Sequence, residues 1–449
     1  MNLKPGAHIY FMGIAGTGMA SVAGLCQQAK YKVSGSDTGV YPPMSTMLQN
    51  LKIPYATPYD PKNLDDAKPD IVVVANVLSK SHTEVEAMVA KNILYTSFPA
   101  LMGELFLKNS CSIVVAGTHG KTTTSSIAAF TLKELGLDPG YLIGGAPKDL
   151  PQSFNLGQSQ NNGFFVIEGD EYDTAFFDKN SKFLHYCPNY LILNNLEFDH
   201  ADIFPDLAAI EKQFSNLIKL VPTPKNIIAN VKDSGIAKLL KDNGLFDKVT
   251  HTAEISNAGF RDGAWRATVS GVNFSTQMDG LHNISNFAQI ITLIDCLVRD
   301  KKIANPDSHK IANILGKFQG VARRLDKLAE QNGISVYEDF AHHPTAIHHV
   351  IESYRHSHPQ KRLVVAFEPR NATSRRNIFL KRFAESLALA DEVLIGECPK
   401  DLRIKENERM NTQTLQKAIG AKAHAFETNE ELLEYAQSHL ESGDAIIFM

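Results

Sequence analysis

Ser110–Phe130 reads SCSIVVAGTHGKTTTSSIAAF. A run of small and β-branched residues, Ser112–Ala116, passes through a glycine-bracketed turn into a helix-length segment, Thr122–Leu135. An apolar run without alternation suits a strand buried on both faces, as in a parallel sheet covered by helices. The turn carries the residue types that grip a triphosphate. Gly117 and Gly120 let backbone N–H groups approach phosphate oxygens, and the helix N-terminus favours negative charge. Thr118, His119 and Thr123 complete the cradle. Lys121 brings a positive charge to the β/γ-phosphates, and the Thr122 hydroxyl is placed to ligate magnesium. The strict form of this loop has glycine where Val115 stands. Read alone, the stretch predicts bound ATP and Mg2+ and names no reaction.

The same alternation of short strand and helix extends in both directions. Upstream, His8–Ile14 and Ile71–Asn76 read as strands and Gly18–Ala29 as a helix. Downstream, Phe164–Glu168, Tyr190–Asn194 and Asn226–Asn230 read as strands, followed by helices over Ile284–Arg299 and His309–Phe318. Ser335–Phe340, Arg362–Glu368, Glu392–Gly396 and Ala445–Phe448 read as strands of a last unit. The stretch from Asp247 to Gly280 shows no clear period. The expected fold class is α/β with three domains. These are a Rossmann-like domain over 1–107, a central P-loop-type ATPase domain over 108–319 and a Rossmann-like C-terminal domain over 320–449.

Two segments after strands concentrate acid: VIEGDEYD, Val166–Asp173, and LNNLEFDHADIF, Leu193–Phe204. Strand C-termini of a parallel sheet share the edge that carries the phosphate turn. Carboxylates delivered there suit magnesium, a hard cation, and Thr122, Glu168 and His200 are the candidate ligands. Asp173 and Asp202, taken singly, read equally well as solvated loop acids. Near the N-terminus, GIAGTGM, Gly13–Met19, also follows a strand and opens a helix, so it can hold a diphosphate. Asp37 falls at the spacing of a ribose-binding acid. A dehydrogenase is therefore the rival reading for that domain alone.

The net charge of −4 and the absence of a long basic run argue against a nucleic-acid partner. The five cysteines form no CxxC pair and read as free buried thiols of a reducing compartment. No stretch reads as a ~20-residue membrane span and the N-terminus does not read as a signal peptide, so a soluble cytoplasmic protein is expected.

GTHGKTTT, the E-x-D-E after a strand, N-x-E-x-D-H, HNISN, ARRLD and DFAHHPT occur in that order. Together they resemble the Mur ligases, and the resemblance covers nearly the whole chain. These enzymes join amino acids or peptides to UDP-N-acetylmuramate with ATP. The glycine turns resemble the branch that acts directly on the lactyl carboxylate of the sugar. VYPPMST (Val40–Thr46), the long run Asp170–Phe204 and EPRNAT (Glu368–Thr373) look more like its peptide-recycling member than its L-alanine-adding member. The resemblance implies that Lys121 contacts the γ-phosphate, that Thr122 and Glu168 bind one magnesium, and that His200 serves a second. It implies that Asn283 and Asn286 line the nucleotide site, and that Arg324, Asp339 and His342 reach it from the third domain. Gly13, Ala15, Gly16, Thr17, Gly18, Met19, Asp37 and Asn76 would hold the UDP-sugar. Arg370 and Asn371 would meet a murein tripeptide, L-Ala-γ-D-Glu-meso-diaminopimelate, whose several carboxylates call for cations. Arg375 and Arg376 read at least as readily as solvated charges. Relatives continue past GDAIIFM into a further turn and helix, so a shortened C-terminus is expected. The alternative readings are the L-alanine-adding ligase and, from another class, a P-loop ATPase that uses nucleotide as a switch. That switch would have no need of HNISN, ARRLD or DFAHHPT.

Overall fold

The computed structural model describes residues 3–401 and 403–449. The chain forms two compact units. One holds residues up to Leu196 together with Ala208–Thr252 and Thr292–Lys302; the other holds Glu197–Leu207, Ala253–Ile291 and Ile303–Met449.

The first unit contains two large sheets and a two-stranded hairpin, Asp173–Ala175 with Asp178–Ser181. An all-parallel sheet has the order Tyr55–Ala56, Lys32–Ser36, His8–Met12, Ile71–Val74, Tyr95–Thr96. A seven-stranded sheet runs Thr250–His251, Ile227–Ala229, Tyr190–Leu193, Cys111–Ala116, Phe164–Gly169, Gly140–Leu142, Phe154–Asn155, and its last strand alone is antiparallel. The central strands are buried along their whole length, which explains why IVVV and YLIL carry no polar alternation. Helix Thr17–Gln28 fastens the two sheets together. A Cβ on Gly24 would lie 2.3 Å from the Phe154 ring, so the helix backbone sits directly on that edge strand. The Gln28 side chain adds an acceptor for the Leu156 N–H at 2.8 Å.

The second unit has a six-stranded sheet in the order Asp326–Gln331, Ile334–Glu338, Ala445–Phe448, Leu363–Phe367, Glu392–Ile395, Ala423–Ala425, parallel except at its first edge. It also contains the stretch that showed no period in sequence. Ile255–Arg261, Ala264–Val269 and Val272–Thr276 form an antiparallel meander. Its two-residue turns are Asp262–Gly263 and Ser270–Gly271, all four residues at positive φ. That is the hairpin geometry whose twist matches the flanking strands. Three sheets dominated by parallel strands make this a three-domain α/β architecture, as the sequence predicts.

Two expectations need correction. Leu281–Arg299 is a helix long and apolar enough to cross a membrane, and 72% of its apolar window is buried inside the protein. Its apolarity serves core packing, with Phe287 against Phe274 and Phe318. Of the five free cysteines, Cys26, Cys111 and Cys296 are buried, whereas Cys187 is exposed and Cys398 partly so.

Candidate functional site

The phosphate turn leaves strand Cys111–Ala116, and helix Lys121–Glu134 begins directly after it. Gly117 and Gly120 both adopt positive φ. A Cβ on Gly117 would lie 2.9 Å from the Asn194 Cβ and 3.0 Å from the Asn195 carbonyl, so only glycine fits there. These two asparagines brace the turn. The Asn195 side chain accepts from the His119 N–H at 2.7 Å, and its carbonyl accepts from the Thr118 N–H at 3.1 Å. The Asn194 amide donates to the His119 carbonyl and to the Thr124 hydroxyl, each at 3.1 Å. The placement follows from register. Leu193 pairs with Ala116, so the residues after both strands meet at one sheet edge. Sequence reasoning quoted this dipeptide but gave it no role.

Lys121 folds back over the turn. Its Nζ donates to the carbonyls of Gly117 at 2.7 Å and Thr118 at 3.2 Å, and to both Glu171 oxygens at 3.0 and 2.9 Å. Burial alone would push its pKa down, but Glu171, Asp170 and Glu168 outweigh that and hold it raised, so the ammonium is charged. Glu168 is the penultimate residue of the neighbouring strand, paired with Val115, and lies 3.4 Å from the Ser125 hydroxyl. Thr122 and Thr123 are buried in the first helical turn. Carboxylate and hydroxyl oxygens at a helix N-terminus form the hard donor set that suits magnesium.

In the N-terminal turn, Gly13 takes a φ of +81° and sits against Ala75, where a Cβ would come within 2.7 Å. Gly16 caps helix Thr17–Gln28, which places Thr17, Gly18 and Met19 in its first turn. Asp37 accepts the Ala15 N–H at 2.9 Å through one oxygen, and the N–H groups of Thr38 and Gly39 through the other. It therefore builds the turn itself. Asn76 lies beyond the end of strand Ile71–Val74, and Met12 pairs with Val74, so Asn76 shares the edge with Gly13.

The second unit gathers the remaining candidates. The Asp199 carboxylate is buried, accepting from the Thr373 hydroxyl at 2.8 Å and the His200 N–H at 2.7 Å. Burial would raise its pKa, but His200, His343, His342 and the Thr373 hydroxyl hold it well below the carboxylate range. Glu197 accepts from the Thr345 hydroxyl at 2.9 Å and from Arg382 at 3.0 Å. His343 is 1% exposed and contacts the Phe198 carbonyl at 3.2 Å through Nε2. His342 is half-buried, its Nδ1 2.8 Å from the Phe340 carbonyl. Asp339 accepts the Leu325 and Ala341 N–H groups, each at 2.6 Å. Burial raises its pKa against the pull of Arg324 and these two donors. Arg324 stacks on the Phe340 ring at 5.5 Å. Asn283 and Asn286 are joined at 3.1 Å, and Asn283 also donates to the Asp279 carbonyl at 2.8 Å.

The arginines of the EPRNATSRRN stretch divide differently from the expectation. Arg375 and Arg376 are not solvated. They form ion pairs with Asp401 and Glu408, each at 3.2 Å, and hold the loop together. The Asn371 side chain closes a local turn by accepting the Ser374 N–H at 2.6 Å. Arg370 projects into solvent, 81% exposed, with Glu368 at 3.9 Å.

Family models match three consecutive stretches of the chain. They are "Mur ligase family, catalytic domain" over 8–109, "Mur ligase middle domain" over 115–294 and "Mur ligase, glutamate ligase domain" over 323–449. A UDP-N-acetylmuramate–L-alanyl-γ-D-glutamyl-meso-2,6-diaminoheptandioate ligase of Escherichia coli K12 is 40% identical, over 86% of this chain and 84% of its own length. A UDP-N-acetylmuramate–L-alanine ligase of Desulfitobacterium hafniense is 30% identical, over 98% of this chain and 96% of its own. The crystal structure of a murein peptide ligase from Psychrobacter arcticus superposes with a TM-score of 0.70 at 32% identity, covering 99% of this chain and 95% of that one.

Proposed function

The chain belongs to the Mur ligase family, and from that premise we propose that it is the ligase that joins UDP-N-acetylmuramate to L-Ala-γ-D-Glu-meso-diaminopimelate in peptidoglycan recycling. The observation that carries this reading is the 40% identity to the tripeptide ligase over 86% of the chain, against 32% to alanine ligases over the same share. It is supported by one sheet edge that brings together Lys121, the bracing asparagines and Glu168.

A carboxylate and an amine do not condense at neutral pH without activation. The lactyl carboxylate oxygen attacks the γ-phosphorus of ATP, the bond to the β-bridging oxygen breaks, and ADP leaves with that electron pair. The alanyl amine of the tripeptide then adds to the acyl-phosphate carbon. Phosphate departs, the amide forms, and one proton passes to solvent or a base. Backbone N–H groups of Gly117–Gly120 and the Lys121 ammonium would offset charge on the transferring group. Lys121 would turn from Glu171 toward that group. Thr122 and Glu168 would hold one magnesium and His200 would serve a second, the cations supplying further neutralisation of phosphate charge. ATP and UDP-sugar as substrates point to the cytoplasm. Gly13–Met19 and Asn76 would receive the UDP-sugar diphosphate, with Asp37 shaping the turn. Arg324, Asp339, Asn283, Asn286 and His342 are the further residues we assign to the nucleotide. Arg370, with a cationic head open to solvent, is the side chain we assign to a peptide carboxylate.

The decisive assay is phosphate release with UDP-N-acetylmuramate, ATP and each amine at equal concentration. The tripeptide is expected to support far faster turnover than free L-alanine; equal or faster turnover with alanine would transfer the assignment to the alanine-adding ligase. Glu168→Gln and His200→Ala are each expected to raise the magnesium concentration needed for half-maximal turnover. If neither variant changes it, these side chains are not ligands.

A further inference from the structure

At the end of strand Phe164–Gly169 and just after it the chain carries three carboxylates in four residues: Glu168, Asp170 and Glu171. Like charges so close repel unless cations separate them. One cation is Lys121. The other is Lys182, twelve residues beyond Asp170, and a small hairpin delivers it. Strands Asp173–Ala175 and Asp178–Ser181 pair antiparallel. The hairpin then buckles onto the acid run through three hydrogen bonds. The Ser181 hydroxyl donates to the Glu171 carbonyl at 2.6 Å, the Lys182 N–H to the Tyr172 carbonyl at 2.9 Å, and the Phe183 N–H to the Asp170 carbonyl at 3.3 Å.

This closure places the Lys182 Nζ 2.6 Å from Asp170 with its side chain only 11% exposed. The ammonium also lies over the Tyr172 ring at 5.4 Å and the Phe98 ring at 5.6 Å. Phe98 in turn supports the N-terminal glycine turn, since a Cβ on Gly18 would lie 3.6 Å from its ring. Lys182 is thus held on one side by an acid next to the phosphate loop and on the other by a ring beneath the diphosphate turn. An ion pair whose acid is about a third exposed to solvent contributes little net stability. Its placement calls for another account. Asp170 interacts electrostatically with Lys121 as well as with Lys182, so without Lys182 it becomes a competitor for the loop ammonium.

We propose that Lys182 is a positioning residue for Lys121: by occupying Asp170 it leaves Glu171 as the carboxylate that hydrogen-bonds the loop ammonium, and so sets Lys121 for ATP. The inference rests on the ATP reading of the loop. The Asp173–Ser181 hairpin, part of the long run that sets this chain apart from the alanine-adding pattern, is then the device that carries the second cation in.

The test is ATP binding by titration calorimetry on the full chain with magnesium, beside thermal unfolding of each variant. Lys182→Met is expected to weaken ATP binding by ~10–100-fold, the usual cost of losing a group that orients a ligand-contacting side chain. Lys182→Arg is expected to bind close to wild type. The double variant Lys182→Met/Asp170→Asn is expected to recover most of the loss, because the competing carboxylate is gone; a residue that merely packs would show no such coupling. ATP affinity unchanged in Lys182→Met, or no recovery in the double variant, overturns the proposal. A wild-type chain that fails to bind ATP would instead overturn the reading of the loop itself.

Discussion

Lys121→Ala is expected to lower ligation by ~10²–10³-fold, the usual cost of removing one preorganised donor from a site where charge develops. The wild-type ammonium is charged, half-buried and already hydrogen-bonded to the loop carbonyls of Gly117 and Thr118. Moving from Glu171 to a phosphate oxygen exchanges one anionic partner for another, so little reorganisation is needed when the γ-phosphoryl group transfers. The substitution has a second effect that must be separated from the first. It strips Glu171, 2% exposed, of its counter-ion, and an uncompensated buried charge costs ~3–5 kcal/mol. Lys121→Ala/Glu171→Gln removes both charges and is expected to recover folding stability without recovering turnover. Single-turnover phosphate release and thermal unfolding, measured on both variants, separate the effects. Near-wild-type turnover in either variant would take Lys121 out of the mechanism.

Asp339→Ala is expected to destabilise the protein by about 3 kcal/mol, taking ~1.5–3 kcal/mol for each hydrogen bond to a charged group and allowing for partial relaxation. The buried carboxylate terminates two backbone donors, Leu325 N–H and Ala341 N–H, from the two chain segments that flank strands Asp326–Gln331 and Ile334–Glu338. Removing it leaves both N–H groups buried without an acceptor. It also releases the turn carrying Arg324, which faces Asp339 electrostatically. Asp339→Asn keeps one acceptor oxygen and is expected to lose about half as much. Urea denaturation followed by tryptophan fluorescence gives both values, since Trp265 lies buried in the same unit. A loss below ~0.5 kcal/mol in Asp339→Ala, the range of ordinary surface changes, would mean the carboxylate does not hold this turn. Activity loss without stability loss would then favour direct contact with nucleotide.

The sheets were legible because their strands are buried on both faces, so IVVV, YLIL and LVVAF appear as unbroken apolar runs. The phosphate turn was legible because its chemistry is local: glycine, lysine and threonine act within the six consecutive residues Gly117–Thr122. What the sequence concealed depends on register or distance. The roles of Asn194 and Asn195 follow from the pairing of Leu193 with Ala116, which no single-chain pattern displays. The partners of Arg375 and Arg376 lie in Asp401 and Glu408, outside any local window, so both arginines looked solvated. Lys182 was passed over because only the closure of a hairpin brings it to Asp170. The meander over Ile255–Thr276 is a different case. Its Asp-Gly and Ser-Gly turn signals are present, and Val272–Thr276 alternates, but the first strand, Ile255–Arg261, is largely unburied and mixed in polarity, so no period runs through the stretch as a whole.

The contact between Gly24 and Phe154 has a kinetic corollary. It pins the helix that opens at the first glycine turn onto the sheet that carries the second, within one compact unit. On the proposed reading, sugar carboxylate and ATP are therefore docked on a common rigid mount, and their mutual orientation is set before either arrives. For that pair the translational and rotational cost of meeting is largely prepaid, which is the origin of high effective molarity in bound reactants. Phosphoryl transfer then needs no large excursion of the mount, and the slow search falls to the third reactant, the amine. Widening that contact, as Phe154→Ala does, is expected to loosen the alignment of the first two substrates while leaving each separate affinity nearly intact.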